Sequence, residues 1–166
     1  MACSSWRPSI MKVTIVYDSI FGNTAKIAKA IAVALKDANI VRLLTVQEAK
    51  SADLADADLL IVGSPTRGFR PTPSISEYVE GLGSVGTGKA AAAFDTRMDL
   101  ETIEPPPLRW VVEAGGYASS RVASLLGRHG FDVKADAPGF LVTGTEGPLK
   151  ANELERAAEW ALTLVN

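Results

Sequence analysis

The sequence predicts a single α/β domain in which helices cover both faces of a parallel sheet. Short runs rich in β-branched residues alternate with longer stretches whose apolar residues recur at helical spacing, which is the pattern of strands joined by crossover helices. One run, residues 59–63, is apolar on both faces, as a central strand is. A chain of 166 residues that is 47% hydrophobic can build one well-buried core and has no room for a second domain.

Five strands and five helices follow from this alternation. The first helix begins near Gly22 and carries Ile27, Ile31 and Leu35 at four-residue steps, which places them on one apolar face. The remaining helices are predicted at residues 46–52, 74–82, 117–129 and 149–164. The strands are predicted at residues 13–17, 40–44, 59–63, 89–94 and 139–142.

The segment from residue 95 to residue 114 is predicted as a long loop. It contains three consecutive prolines, at positions 105–107, and it is too long for a simple connection. Long loops inside compact domains tend to be functional.

Charge and apolar runs exclude two classes of function. With 17 basic and 19 acidic residues the net charge is -2, and no polybasic tract is present, so nucleic acid is not an expected partner. The longest apolar runs are far shorter than the roughly 18 residues of a membrane span, so no membrane insertion is expected.

The single cysteine, Cys3, allows neither an internal disulfide nor a cysteine cluster for zinc or iron and sulfur. No metal site is predicted, and a reducing, cytoplasmic setting is expected. Residues 1–10 lack the apolar core and cleavage site of a secretion signal. They are predicted to be an N-terminal tail that precedes a domain covering residues 11–166.

The loop after the first strand has the composition of an anion-binding site. Residues 18–24 include Ser19, Asn23 and Thr24 and lead directly into the first helix. Their backbone amides and side chains, together with the helix dipole, can bind a phosphate monoester. The alternative is that Ser19 and Thr24 only cap the helix. The loop matches neither GxxxxGK[ST] nor GxGxxG, so a nucleoside triphosphate with magnesium is not expected.

This loop resembles the phosphate loop of the flavodoxin family. In that family an aromatic strand end is followed by a hydroxyl residue, two variable positions, glycine, a small or polar residue and threonine. The residues that match this pattern are Tyr17, Ser19, Gly22, Asn23 and Thr24. The resemblance implies that flavin mononucleotide (FMN) is the cofactor. The residues it implies for this loop are Ser19, Ile20, Phe21, Gly22, Asn23 and Thr24.

A second loop, residues 63–66 with the sequence Gly-Ser-Pro-Thr, also resembles a flavin loop of the family. The resemblance implies that Pro65 fixes the turn and that Thr66 donates to the flavin ring or ribityl chain. The backbone from Arg67 to Phe69 would pass beside the redox-active edge, where a peptide reorients as the flavin gains a proton. Gly68 permits that movement. Phe69 either stacks on the ring or packs against the neighbouring helix.

Residues 94–98 occupy the position of the family's third flavin loop. Asp95 and Thr96 are expected to bind the pyrimidine edge of the flavin, the alternative being a strand-ending turn. Typical flavodoxins place a tyrosine or tryptophan over the outer flavin face at this point. This chain departs from that pattern and leaves the stacking residue open. The candidates are Arg97, Met98, Trp110 and Tyr117.

The resemblance covers approximately residues 12–165. It implies a flavodoxin-like, three-layer fold with a doubly wound, five-stranded parallel sheet in the order 2-1-3-4-5. In such sheets ligands bind outside the carboxyl ends of the strands, where the strand order reverses. The loops after strands one, three and four are therefore expected to converge on one site.

Three arginines, Arg67, Arg70 and Arg97, fall in the predicted flavin loops. A cation about 6 Å from a developing negative charge stabilises it by nearly 3 kcal/mol at an effective dielectric of about 20, before solvent screening. We therefore expect a less negative reduction potential than that of low-potential carriers, whose flavin has acidic surroundings. The alternative is that these arginines pair with acids such as Asp95 and Asp99.

The predicted function is electron transfer by bound FMN, between a reductase and an acceptor protein whose identities stay open, as does the oligomeric state. No catalytic residue is predicted, because a flavin itself carries the redox chemistry. An alternative is an NAD(P)H-dependent quinone or flavin reductase of flavodoxin-like fold, in which the arginines hold the nucleotide phosphate. Whether the chain is an enzyme is therefore open.

A third alternative is a receiver-like or structural domain that binds no flavin, because one fold serves many functions. Asp18 and Asp95 could form part of a phosphoacceptor site. Such a site also needs a lysine after the last strand, whereas Lys150 lies beyond a Gly-Thr-Glu-Gly-Pro turn.

Overall fold

A parallel sheet forms the centre of the computed structural model, which describes residues 10–134 and 137–166. The predicted tail, residues 1–10, lies outside the described residues except for Ile10. The strands are β1 (Lys12–Tyr17), β2 (Ile40–Thr45), β3 (Leu59–Pro65), β4 (Ala90–Met98), β5 (Asp132–Val133) and β6 (Gly139–Val142). Their order is β2-β1-β3-β4-β5, with β6 also paired to β4. The predicted fold class and strand order are confirmed.

Helices lie on both faces of this sheet. They are α1 (Asn23–Leu35), α2 (Val46–Ala49), α3 (Pro73–Glu80), α4 (Pro107–Gly115), α5 (Ala118–Arg128) and α6 (Glu153–Thr163), with a 3-10 turn at Leu100–Thr102. None of the helices in the described ranges is both long and apolar enough to cross a membrane.

Two apolar cores form where the helices pack against the two faces of the sheet. One lies on the side of α1 and α6, and the other on the side of α3 and α5. In the first core, the rings of Phe94, Phe140 and Trp160 meet edge to face with centroids 6.0 to 6.2 Å apart. The Phe94 ring covers Gly63 of β3, where a Cβ would overlap it. Packing thus requires glycine at position 63 of β3.

Parallel pairing brings the three loops that follow β1, β3 and β4 to one edge of the sheet. Tyr17 pairs with Gly63, and Gly63 pairs with Phe94. Tyr17 ends β1, and Gly63 and Phe94 lie two and four residues before the ends of β3 and β4. The convergence expected from the strand order is therefore present.

Two short strands pair with the outer side of β4, where the sequence predicted a single fifth strand. β5 pairs with Ala90 and Ala91, whereas β6 pairs with the part of β4 from Asp95 to Met98. The sequence prediction missed β5 because two residues are too few to show a period. It ended β4 at residue 94 because the pairing with β6, which extends the strand to Met98, is a tertiary contact.

Most of the segment predicted as a long loop, residues 95–114, forms regular secondary structure, so that prediction was wrong. It contains the end of β4, the 3-10 turn and most of α4. The prolines did not prevent a helix because Pro107 is its first residue, where no backbone donor is needed. The last helix also begins later than predicted, at Glu153, since the preceding Asn152 adopts a left-handed conformation with φ 68°.

Candidate cofactor site

The loops after β1 and β3, the start of α1, the end of β4 and the end of β6 with the turn after it line a cavity of about 210 Å³ at the carboxyl edge of the sheet. Eleven of the fourteen residues predicted for the cofactor line it. They are Ser19, Ile20, Phe21, Asn23, Thr24, Pro65, Thr66, Arg67, Gly68, Thr96 and Arg97. Gly22, Phe69 and Asp95 are not among the residues that line the cavity.

Three further residues, Met98, Val142 and Thr145, complete the cavity wall. Met98 was one of the candidates for stacking on the flavin, whereas Val142 and Thr145 were not included in the predicted site. Val142 is the last residue of β6, and Thr145 lies in the turn that follows. The rule that ligands bind at carboxyl strand ends could have identified both, had it been applied to the fifth strand as well.

The first loop presents two backbone amides at the start of α1. Ser19 Oγ accepts hydrogen bonds from the amides of Gly22, at 3.1 Å, and Ala25, at 3.3 Å. Gly22 turns the chain into the helix with φ 92°, which glycine adopts without strain. Within residues 10–134 and 137–166, the amides of Asn23 and Thr24 have no hydrogen-bond acceptor. These two donors lie at the positive end of the helix dipole.

Side-chain hydrogen bonds join this loop to its neighbours. The hydroxyl oxygens of Thr24 and Thr96 lie 2.8 Å apart and are buried. Asn23 Nδ2 donates to the carbonyl oxygen of Glu146, at 3.1 Å, in the loop after β6. The phosphate-loop candidate is therefore held against both β4 and the last loop of the sheet edge.

Thr66 connects the second loop to α5. Its hydroxyl oxygen accepts from the amide of Ala118 at 3.0 Å, and its own amide donates to the carbonyl oxygen of Thr96 at 2.9 Å. The hydroxyl proton of Thr66 is not used by the bond to Ala118. Thr66 therefore keeps a donor for the cavity that it lines.

The Asp95 side chain is fully buried and pairs with Arg97. Arg97 Nε and Nη2 donate to its two carboxylate oxygens, each at 2.7 Å, and the amide of Ser119 donates to it at 3.0 Å. The carboxylate thereby caps the start of α5. The Arg97 guanidinium lies 3.5 Å from the centre of the Tyr117 ring. For Arg97 the structure thus shows the pairing alternative.

Asp99, the second acid proposed as an arginine partner, pairs with Lys150 instead. The Lys150 ammonium hydrogen-bonds the Asp99 carboxylate at 2.7 Å and holds the pKa of that carboxyl below its usual value. The amide of Glu101 donates to the same carboxylate and acts in the same direction.

Two arginines in the described part of the chain line the cavity, and of these Arg97 is paired with a carboxylate whereas Arg67 is not. It forms no ion pair with any residue that the structure describes. Its guanidinium lies 5.6 Å from the centre of the Phe21 ring, which also lines the cavity.

The turn from Arg67 to Arg70 sets the direction of the Phe69 ring. The two arginines exchange backbone hydrogen bonds of 2.8 and 3.1 Å, and the central residues Gly68 and Phe69 have φ of 54° and 67°. Positive φ at both central residues is characteristic of a type I′ turn and is strained for phenylalanine. The Phe69 ring packs against Gly115 at the end of α4. Of its two predicted roles, the structure shows packing against a neighbouring helix.

No aromatic residue named earlier for the outer flavin face lines the cavity. Trp110 projects from α4 and is 78% exposed, and Tyr117 packs against Arg97. Phe21 is the aromatic side chain in the cavity wall.

A family model described as a flavodoxin domain matches residues 14–105, more than half of the chain. A flavodoxin from the domain Archaea is similar in structure, with TM-score 0.68 and 20% identity over 93% of this chain and 96% of that chain. A WrbA-like flavodoxin from Agrobacterium tumefaciens gives TM-score 0.67 and 17% identity over 94% and 96%. A Fusobacterium nucleatum flavodoxin bound to flavin mononucleotide gives TM-score 0.64 and 14% identity over 93% and 96%. No curated protein sequence matches significantly. The chain belongs to the flavodoxin domain family.

Proposed function

We propose that residues 11–166 bind one FMN at the carboxyl edge of the sheet and act as an electron-transfer protein. The observation that carries this proposal is the convergence of the β1 and β3 loops with the end of β4 on one cavity, where α1 begins with free amides. Membership of the flavodoxin domain family supports it, as does the bound flavin mononucleotide of the Fusobacterium nucleatum flavodoxin. Bound flavin supplies one-electron and two-electron chemistry.

The residues of the cavity fit the phosphate and the hydroxyl-bearing chain of FMN. The amides of Asn23 and Thr24 are donors for a phosphate, and Ser19 fixes the loop that presents them. Thr66 keeps a hydroxyl donor in the cavity wall, whereas the hydroxyl of Thr96 pairs with that of Thr24. In this proposal Ile20, Phe21, Pro65 and Gly68 form the wall against the ring, and Gly22 permits the turn into α1.

The lining of the cavity is compatible with an electron carrier, which needs no residue for acid-base catalysis because a flavin itself carries the redox chemistry. Among its lining residues in the described part of the chain there is no carboxylate, histidine or lysine. The residues present bind and orient, which is sufficient for a protein that exchanges electrons with a redox partner. The single cysteine of the chain suits a reducing, cytoplasmic setting.

A reductase is the second candidate, supported by the WrbA-like neighbour and by Arg67 at the cavity mouth. A cation there can bind the phosphate of a nicotinamide nucleotide.

NADPH oxidation separates the two candidates. The FMN-loaded protein is mixed with NADPH and a quinone, with and without an added flavodoxin reductase, and free FMN is the control. Reduction that requires the added reductase supports the carrier. Oxidation of NADPH by the protein alone, faster than by free FMN, contradicts it and supports the reductase.

A further inference from the structure

A second concave surface lies between α3 and α5, outside the candidate cofactor site. Its volume is about 580 Å³, which falls in the range of about 300 to 1,000 Å³ found for ligand pockets. We call it the arginine groove. Its polar wall consists of Arg70, Arg121, Arg128, Ser76, Ser120 and Ser124.

The arginine groove carries positive charge without acidic compensation. No aspartate or glutamate lines it, and its three arginines form no ion pair with the residues the structure describes. Elsewhere in the same chain Arg97, Arg109 and Arg156 each pair with a carboxylate. This concentration of unpaired arginine occurs in a protein whose net charge is -2.

The groups of the groove are arranged on two facing helices. Arg121, Ser124 and Arg128 follow one another at spacings of three and four residues and share one face of α5. Ser76 lies across the groove on α3, and Arg70 lies at the end of the turn that precedes it. A ligand in the groove would therefore have cations and hydroxyl groups on more than one side.

Arg121 is fixed in place by the backbone. Its Nε donates to the carbonyl oxygen of Phe69 at 2.8 Å, and its Nη2 donates to that of Gly115 at 3.1 Å. Nη1 has no protein acceptor among the described residues. A guanidinium positioned in this way loses less conformational freedom when it binds an anion than a free side chain does.

We propose that the arginine groove binds a small molecule that carries phosphate. Guanidinium groups and hydroxyl groups together are a donor set that suits phosphate oxygens. Pro71, Pro73 and Leu125 provide an apolar wall for the organic part of the ligand. A concave surface with hydroxyl groups on both helices suits a compact polyanion better than the flat, carboxylate-bearing surface of a protein partner.

The groove adjoins the candidate cofactor site but does not depend on it. Arg67 lines the cofactor cavity and Arg70 lines the groove, at opposite ends of one turn. Tyr117 lines the groove, and its ring packs against Arg97 of the cavity wall. The proposal therefore goes beyond FMN binding and holds whether or not a flavin is bound.

Inorganic pyrophosphate and ADP are the probes for this site. Each is titrated at constant ionic strength into the protein, and backbone amide shifts are followed by NMR. We expect saturable shifts at Ser76, Ser120 and Ser124, with tighter binding of ADP because of the apolar wall.

Variants test the assignment to the arginines. Arg70→Ala and Arg128→Ala remove side chains that make no hydrogen bond within the described ranges, so both variants are expected to fold. Each should weaken pyrophosphate binding about tenfold. Lys29→Ala is the matched control, because Lys29 is exposed on α1 in the opposite helix layer, and its affinity should equal that of the unmodified protein.

Four results overturn the proposal. They are no saturable shift with either probe, shifts confined to the start of α1, affinities unchanged in both arginine variants, and binding of polyglutamate in the absence of pyrophosphate or ADP binding. The last result would assign the groove to an acidic protein partner. Equal affinities for pyrophosphate and ADP would contradict the role of the apolar wall.

Discussion

The hydroxyl oxygens of Thr24 and Thr96 lie 2.8 Å apart in the interior, where they join the first turn of α1 to the end of β4. Both side chains are buried, with relative exposures of 1% and 5%. Because both residues line the candidate cofactor cavity, their hydrogen bond fixes the phosphate-loop candidate against β4. The geometry of this loop thus depends on a residue of the neighbouring strand.

Thr24→Val is expected to destabilise the protein by about 1 to 3 kcal/mol, since it leaves the buried hydroxyl of Thr96 without its partner. The double variant Thr24→Val/Thr96→Val should cost less than the sum of the two single variants, because it leaves no hydroxyl unpaired. Urea unfolding of the four proteins measures this coupling. Strict additivity would show that the two hydroxyls do not interact.

Arg97→Leu should destabilise the protein by about 3 to 5 kcal/mol, because it leaves the Asp95 carboxylate buried without its cation. Removing both charges, in Asp95→Asn/Arg97→Leu, should restore part of this loss. Lys12→Met is the control, since the ion pair of Lys12 with Asp56 is 4.0 Å long and exposed. Its effect should stay within about 1 kcal/mol. Equal effects of Arg97→Leu and Lys12→Met in denaturant unfolding would contradict the buried pair.

Arg67→Gln should make the reduction potential of bound FMN more negative by several tens of millivolts. This is about a third of what the nearly 3 kcal/mol of an unscreened cation would give, because Arg67 is exposed and solvent screens its charge. Of the three arginines first expected to act on the flavin, Arg97 has its charge matched by Asp95 and Arg70 does not line the cavity, which leaves Arg67. Arg70→Gln is the control at the other end of the same turn, where the side chain does not line the cavity. Spectroelectrochemical titration compares the three proteins. A shift that is absent in Arg67→Gln, or as large in Arg70→Gln, counts against the assignment.

Because Tyr78 is buried, the free energy of unfolding should fall at high pH. Burial raises its pKa from 10.0 to about 12, against a smaller opposite effect of Arg42. Between pH 10 and 12 the unfolded chain releases the phenolic proton and the folded chain keeps it, so stability falls as pH rises, by up to about 1.4 kcal/mol per pH unit.

Tyr78→Phe should remove this part of the pH dependence. The Tyr78 hydroxyl has no hydrogen-bond partner among the described residues, so the variant should be at least as stable at pH 8. Urea unfolding of both proteins at pH 8 and pH 11 measures the difference, which should grow in favour of phenylalanine. Parallel losses in the two proteins would show that Tyr78 titrates normally.

The sheet and the loops after β1 and β3 could be predicted because their signals are local. β-branched runs, helical periodicity and the hydroxyl and glycine residues at positions 19–24 all lie within short stretches of sequence. The carboxyl-edge rule then brings the loops together without knowledge of any contact.

The directions of individual side chains could not be predicted, because they depend on residues distant in the chain. Phe69 packs against Gly115, and Asp95 caps the start of α5 through the amide of Ser119. Phe69 lies in the turn after β3 and Asp95 lies in β4, each next to residues that line the cavity, yet neither lines it. Helix α4 was missed for a different reason, since the prolines that precede it indicate a loop as readily as a helix start.

Titration of the flavin-free protein with FMN and with riboflavin, followed by quenching of flavin fluorescence, tests the central claim most directly. The two ligands differ in the phosphate alone. We expect saturable binding of one FMN per chain, with riboflavin bound at least about tenfold more weakly because it cannot use the amides at the start of α1. Equal affinity for the two flavins would contradict the phosphate site, and no saturable binding of either would contradict the flavin site as a whole.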